Sequence, residues 1–351
     1  LKVALTFNVK PESESFSEDV SPIHNKSEGS SEISTDTYAE WDTWETIDAV
    51  KEALQTYNDV ILVEADENSF NKIKEIRPDI VFNIAEGMNA VSREAQIPAM
   101  LDLLNIPYSG SDPLTLVICL DKARTKEILS YYKIPNAKFF VADDKDSIDD
   151  QKIKYPAIVK PVSEGSSKGI YSSSFVKSES ELKTEVKRIT EEYNQSALIE
   201  EFLPGREFTV AIIGNNSDTE VLPIIEINYK DLPQDFIQIY SFEAKWILDT
   251  KENPLDIYQC PAPLSPDLET KIKNVALSAY KILRCRDWSR IDVRLDANGE
   301  PNIIEVNPLP GILPDPNDNS CFPKAARTAG LSYNEMINKV LLAAARRYKL
   351  L

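Results

Sequence analysis

The segment from Trp288 to Asn307 constrains the fold more than any other part of the chain. It reads as two alternating strands around Asn298-Gly299, a dipeptide that supplies the positive φ angles of a tight hairpin turn. With Asn298 and Gly299 as the two loop residues, Ala297 pairs with Glu300, Asp292 with Glu305 and Arg290 with Asn307. Arg290, Asp292, Glu305 and Asn307 then share one face. The opposite face carries Ile291, Val293, Leu295, Ile304 and Val306 and is predicted to be the core side. Acids placed directly across a ladder repel. A hard divalent cation bound by carboxylate and amide oxygens reverses that sign, and Mg²⁺ held by one or two carboxylates plus nucleotide phosphates is a common arrangement. A solvated strand face on which Arg290 and Arg294 neutralise the acids satisfies the same pattern.

The rest of the chain limits which chemistry that hairpin can serve. The net charge of -18 argues against a nucleic-acid or acidic-membrane partner, so any anionic ligand must meet a local cluster of Lys and Arg. There is one histidine, His24, in an acidic, serine-rich stretch, which makes Ser-His-Asp and Cys-His hydrolysis and histidine metal sites improbable. Cys119, Cys260, Cys285 and Cys321 show no CxxC spacing, so neither a zinc site nor a disulfide framework is indicated, and a reducing, cytoplasmic location follows. No run of about 18 apolar residues occurs, and the first residues, Leu1 to Asn8, read as a strand rather than a signal peptide. Because the chain starts at Leu1, an initiator Met or short leader is expected to be missing.

At 351 residues the chain has room for two or three domains. Residues 10 to 40 are expected to form a long loop or insertion. A helix through Ile47, Val50, Leu54 and Tyr57, a strand at 59–64, a helix at 68–76, a strand at 80–84 and a helix near 97–104 alternate as in a parallel sheet. Residues 1–120 are read as this α/β domain. Residues 121–205 form a second unit, with a helix from Asp121-Lys122, strands at 157–161, from Gly169 and at 197–202, and a helix opened by the capping box Ser178-x-x-Glu181. Residues 206–351 form a third, with strands at 206–213 and 220–227, a helix opened by Ser265-Pro266, the hairpin, and a last helix opened by Ser332-x-x-Glu335. The fold class is α/β and α+β.

Two further segments carry chemistry. Lys160-Pro-Val-Ser-Glu-Gly-Ser-Ser-Lys-Gly169 places a lysine at a strand end before a flexible loop, whose N–H groups and hydroxyls, Ser166 and Ser167 among them, can wrap phosphates. An ordinary surface turn fits the same residues. Ile199-Glu200-Glu201-Phe202-Leu203-Pro204-Gly205-Arg206-Glu207 reads as a strand running into a turn. Main-chain groups at 201 to 203 are placed to read an adenine edge, with Glu200 accepting from its amino group and Glu207 from the ribose hydroxyls. An acidic edge strand that deters aggregation is the competing reading.

Taken in order, Ile106-Pro-Tyr-Ser-Gly-Ser111, Asp121-Lys122, Lys160-Pro, Glu164-Gly-Ser-Ser-x-Gly169, Glu207-Phe-Thr-Val-Ala211, Glu243-Ala-Lys245, Cys260-Pro-Ala, Arg290-Ile-Asp292, Glu305-Val-Asn307-Pro and Pro310-Gly311 resemble the ATP-grasp superfamily. More narrowly, over residues 80 to 345 they look like the D-alanine:D-alanine ligases. The resemblance implies a three-domain ligase that makes a dipeptide through an acyl phosphate. It implies ATP between the second and third domains, with Lys122 and Lys160 on its phosphates, Ser166 and Ser167 in the covering loop, and Glu200, Glu201, Phe202, Leu203 and Glu207 around adenosine. Asp292, Glu305 and Asn307 would hold two Mg²⁺ ions, with Mn²⁺ as a substitute. Arg290 and the Gly311 N–H match oxyanion-stabilising positions, and Ser320 and Lys245 match groups that grip the second amino acid's carboxylate. A homodimer is favoured.

The departures gather at the substrate end. The family's N-terminal Gly-Gly-x-Ser-x-Glu loop, whose glutamate holds the first substrate's ammonium, is missing; Glu40 or Asp42 is a candidate replacement, beside the reading of each as a solvated loop charge. Glu86-Gly87 replaces a His-Gly loop, Trp246 stands where tyrosine is usual, and about four extra residues lie between Gly311 and Ser320. These changes leave open other amino acids or D-hydroxy acids as substrates, and a nucleotide-binding regulator without amino-acid activation as a third reading.

Overall fold

A computed structural model of the chain describes residues 1–11, 38–148, 154–229, 239, 241, 255 and 257–351. Most of the acidic 10–40 stretch with His24 lies outside them, as do Glu243, Lys245 and Trp246.

The first sheet is parallel. Its strands β1 (Lys2–Phe7), β2 (Asp59–Glu64) and β3 (Ile80–Asn83) lie in the order β2-β1-β3, with α1 (Trp44–Gln55) and α2 (Ser69–Ile76) as connections and α3 (Gln96–Leu104) after β3. Both faces of β1 are buried: Val3, Leu5 and Phe7 pack with Ile47, Val50 and Leu54 of α1, and Ala4 packs with Ile73, Val81, Ile97 and Leu101. Such two-sided burial is why these strands read as apolar runs. Helices α4 (Pro113–Leu120) and α5 (Lys122–Tyr131) follow, each capped by an aspartate: Asp112 accepts from the Thr115 N–H and Asp121 from the Arg124 N–H, both at 2.9 Å.

A four-stranded antiparallel sheet comes next, in the order β4-β7-β5-β6, from β4 (Phe139–Ala142), β5 (Ala157–Pro161), β6 (Phe175–Val176) and β7 (Ala197–Glu201), with α6 (Glu179–Glu192) across it. The strand expected from Gly169 is absent. Ser166, Ser167 and Gly169 take positive φ angles of 50°, 62° and 74°, which no extended strand permits, and pairing starts only at Phe175. The third sheet is built on β8 (Glu207–Ile213), β9 (Glu220–Val221), β10 (Ile225–Ile227), β11 (Tyr258–Gln259), β12 (Trp288–Leu295) and β13 (Pro301–Asn307), with α7 (Pro266–Ile282) on one side. The expected strand 220–227 is thus split at Leu222-Pro223-Ile224. Helix α8 (Cys321–Thr328) leads to α9 (Tyr333–Arg347), whose capping box is complete. Helix α9 returns to α1, where Asn338 donates to the Ala53 carbonyl at 2.7 Å and Ile337, Val340 and Ala344 join the core of β1.

The hairpin β12-β13 holds the expected pairs Arg290 with Asn307 and Asp292 with Glu305, but reaches them differently. The loop has three residues, Ala297, Asn298 and Gly299, because Asp296 Oδ1 accepts from the N–H groups of Asn298 and Glu300 at 2.8 and 2.9 Å. The resulting slip is undone by a β-bulge at Ile304, since Val293 pairs with Ile303 while Asp292 pairs with Glu305. The core assignment of Ile304 is therefore corrected: Ile303 is the buried residue, and Ile304 turns toward the same face as Glu305. No helix among the described residues is long and apolar enough to cross a membrane.

Candidate active site

The antiparallel sheets face one another across a cavity of about 360 Å³. Lys122, Lys160, Ser166, Ser167, Glu200, Glu201, Phe202, Leu203, Glu207, Arg290, Asp292, Glu305, Gly311 and Ser320 all line it. Asn307 stands beside the acids, its Nδ2 donating to Asp292 Oδ2 at 3.4 Å. Lys245 lies outside the described residues.

At one end the two opposed acids are each matched to a cation. Lys122, at the first position of α5, reaches Glu305 Oε1 at 2.8 Å and also donates to the Glu164 carbonyl. Arg290 forks onto Asp292 at 3.2 and 3.0 Å. Burial alone would raise the Glu305 pKa, but Lys122 and Lys160 outweigh it and hold the carboxyl at about 2. Among the described residues no three acidic, His or Cys side chains are grouped to hold a metal by themselves. Two carboxylates and an amide on one strand face fit Mg²⁺ that takes its remaining ligands from phosphate and water.

At the other end Glu200, on β7, lies between two lysines: Lys160 Nζ is 2.5 Å from Oε2, and Lys126 Nζ contacts Oε1. Burial pushes the Glu200 pKa up, yet these two ammonium groups win and leave it below the usual carboxylate range. Of the main-chain donors at 201 to 203, Glu201 N–H is taken by the Lys138 carbonyl and Phe202 N–H by the Pro156 carbonyl; among the described residues no hydrogen bond engages Leu203 N–H. Glu207 accepts from Arg294 and from the Tyr229 hydroxyl, both at 2.8 Å, and burial still raises its pKa. The Arg294 guanidinium lies 4.7 Å from the centre of the Phe202 ring.

The glycine-serine loop is fastened to the first sheet's connections rather than free. Arg93 donates to the Ser163 carbonyl at 3.0 Å and to both Glu40 oxygens at 2.9 and 3.1 Å, while Lys168 joins Glu164 at 2.8 Å and Glu40 at 3.6 Å. Glu40 rests on Gly165 so closely that an added Cβ there would come within 2.1 Å of its Oε1. Ser320 Oγ accepts from the Leu313 N–H at 3.1 Å and donates to the Gly311 carbonyl at 3.3 Å, so it braces the turn from Gly311 onward.

Sequence reasoning missed several groups. Lys126 is buried and lines the cavity; its spacing of four residues after Lys122 on one helix was the available signal. Arg93 and Glu94 sit in a segment that reads only as loop. Asp42, already named as a candidate, is no solvated loop charge: it lines the cavity with Lys10, and burial pushes its pKa up to about 7 against the pull of Lys10. Burial and then Glu40 push Glu94 up to about 8, and burial, Glu94, Glu40 and Asp42 push Glu86 well above its usual range.

A family profile described as D-ala D-ala ligase C-terminus matches residues 128–342. The chain is 33% identical over 299 residues to the D-alanine–D-alanine ligase of Actinobacillus pleuropneumoniae, covering 84% of this chain and 90% of that one. It is 34% identical over 301 residues to the D-alanine–D-alanine ligase of Haemophilus influenzae, with 84% and 93% covered. It is 32% identical over 318 residues to the uncharacterized protein y4sG of Sinorhizobium fredii, with 88% and 90% covered. The structure is similar to that of D-alanine–D-alanine ligase from Bacillus anthracis complexed with ATP, with a TM-score of 0.72, 21% identity, and coverage of 100% of this chain and 99% of that one.

Proposed function

Because the chain belongs to the D-alanine–D-alanine ligase family of ATP-grasp enzymes, which form carbon-nitrogen bonds, we propose that it binds ATP in this cavity and joins two small amino acids, D-alanine first among them. The observation that carries the reading is the convergence of Lys122, Lys160 and the glycine-serine loop on the face that presents Asp292 and Glu305.

In this reading the carboxylate of the first amino acid attacks the γ-phosphorus of ATP. A carboxylate oxygen-phosphorus bond forms as the bond to the β,γ-bridging oxygen breaks, and ADP leaves. The amine of the second amino acid then adds to the acyl phosphate carbonyl. The tetrahedral adduct collapses with loss of phosphate and a proton, leaving the amide. Catalysis of this kind is positioning and charge stabilisation. Lys122 and Lys160 supply positive charge to the phosphates, and Leu203 N–H with Glu200 reads the adenine edge. Arg290 and the Gly311 N–H face the oxygen that becomes negative in the adduct. Lys245 and Ser320 take the second carboxylate, and the loop bearing Ser166 and Ser167 excludes water. Asp292, Glu305 and Asn307 would hold two Mg²⁺ ions, which would neutralise phosphate charge.

The cavity lies where the proposed units 1–120, 121–205 and 206–351 meet. A homodimer in the cytoplasm is part of the same proposal. The carboxyls of Glu40, Asp42, Glu86 and Glu94 at the first sheet favour a second reading, a ligase for other amino acids or D-hydroxy acids. Incubation with ATP, Mg²⁺ and a panel of D- and L-amino acids should release ADP and phosphate, with products identified by mass. No turnover with any pair would end the first proposal, and a product spectrum confined to D-alanyl-D-alanine would end the second.

A further inference from the structure

Helix α5 projects two lysines a turn apart, and they go to opposite ends of the cavity: Lys122 to Glu305, Lys126 to Glu200. Lys126 is only 1% exposed, carries its ammonium beside Glu200 Oε1 and lies 6.0 Å from the centre of the Phe139 ring. A buried lysine is retained at such a place only with a compensating charge. Two cations flank Glu200, but their duties differ. In the proposed function, on which this inference rests, Lys160 also serves the phosphates, so Lys126 is the cation committed to Glu200 while nucleotide is bound.

We infer that Lys126 is a positioning residue for purine selection: it keeps the Glu200 carboxylate ionised and turned toward the base, as an acceptor with no proton to donate. An ionised carboxylate accepts from an exocyclic amino group and repels a carbonyl oxygen at the same ring position. Adenine offers the amino group there and hypoxanthine the carbonyl. A protonated Glu200 would instead donate to the carbonyl and lose the distinction. The charged groups facing Glu200 are Lys126 from α5 and Lys160 from β5; its partner on β4 is the apolar Phe139, Glu207 acts on it through Lys160, and Glu305 acts through both lysines.

The test compares KM for ATP and for ITP from pH 6 to 9 in the full chain, in Lys126→Met, Lys126→Arg and Glu200→Gln. The expected result is a preference for ATP that is flat with pH in the unaltered enzyme and restored by Lys126→Arg. In Lys126→Met it falls about tenfold as pH drops toward 6. A Lys126→Met profile parallel to the unaltered one, while Glu200→Gln loses the preference, overturns the inference alone. Glu200→Gln with an unchanged ATP to ITP ratio overturns both the inference and the reading of Glu200 as the base contact. If Lys126→Met does not fold, the ¹³C carboxyl resonance of Glu200 decides in the unaltered protein with Mg·ADP. It should stay at its ionised position down to pH 5, and titration above pH 6 overturns the inference.

Discussion

Burial has opposite outcomes for the lysine-held carboxyls inside the cavity and for the group of acids packed at and behind its N-terminal side. Inside the cavity, Glu200 and Glu305, at its two ends, are each gripped by lysines from α5 and β5 and titrate below their ordinary range, whereas Glu207, which has Arg294 and the Tyr229 hydroxyl but no lysine, is raised. On the N-terminal side, Asp42 at the wall and Glu86 and Glu94 behind it outnumber the cations near them, and their pKa values rise. The first arrangement is charge-balanced before any ligand arrives. In the second, neutralisation comes from protons. Net charge along the sequence says nothing about this contrast; what decides it is whether a helix or strand delivers an ammonium group to the carboxyl.

The hardest test of the contrast is Glu305→Gln, which removes an acid proposed to hold the metal. Turnover measured by ADP release should fall by about a thousandfold with the fold near intact; full activity would remove Glu305 from the reaction. The next test is stability. Glu200→Gln leaves two buried lysines without their counter-charge and should cost about 3 kcal/mol in urea unfolding. The combined Asp42→Asn and Glu94→Gln change should have the opposite sign and stabilise the protein at pH 8. Destabilisation by both would erase the distinction.

The pH dependence sharpens the same point. Free aspartate and glutamate titrate near 4, whereas Asp42 and Glu94 titrate at about 7 and 8 in the fold. The folded state therefore binds more protons than the unfolded one over that interval, and stability declines as pH rises from about 4 to about 8. Glu305, at about 2, runs the other way: its contribution is complete above the unfolded value and is lost as pH falls toward 2. Melting temperatures between pH 5 and 8 should fall in the unaltered protein and flatten in the double variant. Equal slopes would show that the wall acids are not the source. The smallest effect is expected from Glu40→Gln, which loosens one anchor of the loop at Gly165. Proteolytic cleavage between residues 163 and 169 should quicken severalfold, and an unchanged rate would show that Arg93 and Lys168 hold the loop without it.

What could be read in the amino acids follows the same physical division. The Asp292 and Glu305 pair was legible because alternation ties each strand residue to a face, and the helix starts were legible because caps are local. The turn and bulge were not, because Ile303 and Ile304 are identical side chains and either satisfies the core. Only the two N–H groups bound by Asp296 select the observed arrangement. The strand expected from Gly169 failed because consecutive left-handed residues precede it, which serines do not announce. Asp42 and Glu86 were singled out by position and Glu94 was not, and the burial of all three was illegible because it comes from packing between distant segments. At the substrate end, Lys245 and Trp246 lie outside the described residues.

Ile304 reaches the cavity wall only because β13 holds one surplus residue there. Loss of that single codon would leave Asp292 facing its acidic neighbour and Ile303 in the interior. Only a patch of hydrocarbon beside the carboxylates would vanish. A one-residue deletion is thus a gentler edit here than most substitutions, and a lineage could retune the cavity's greasy lining without disturbing the charges next door.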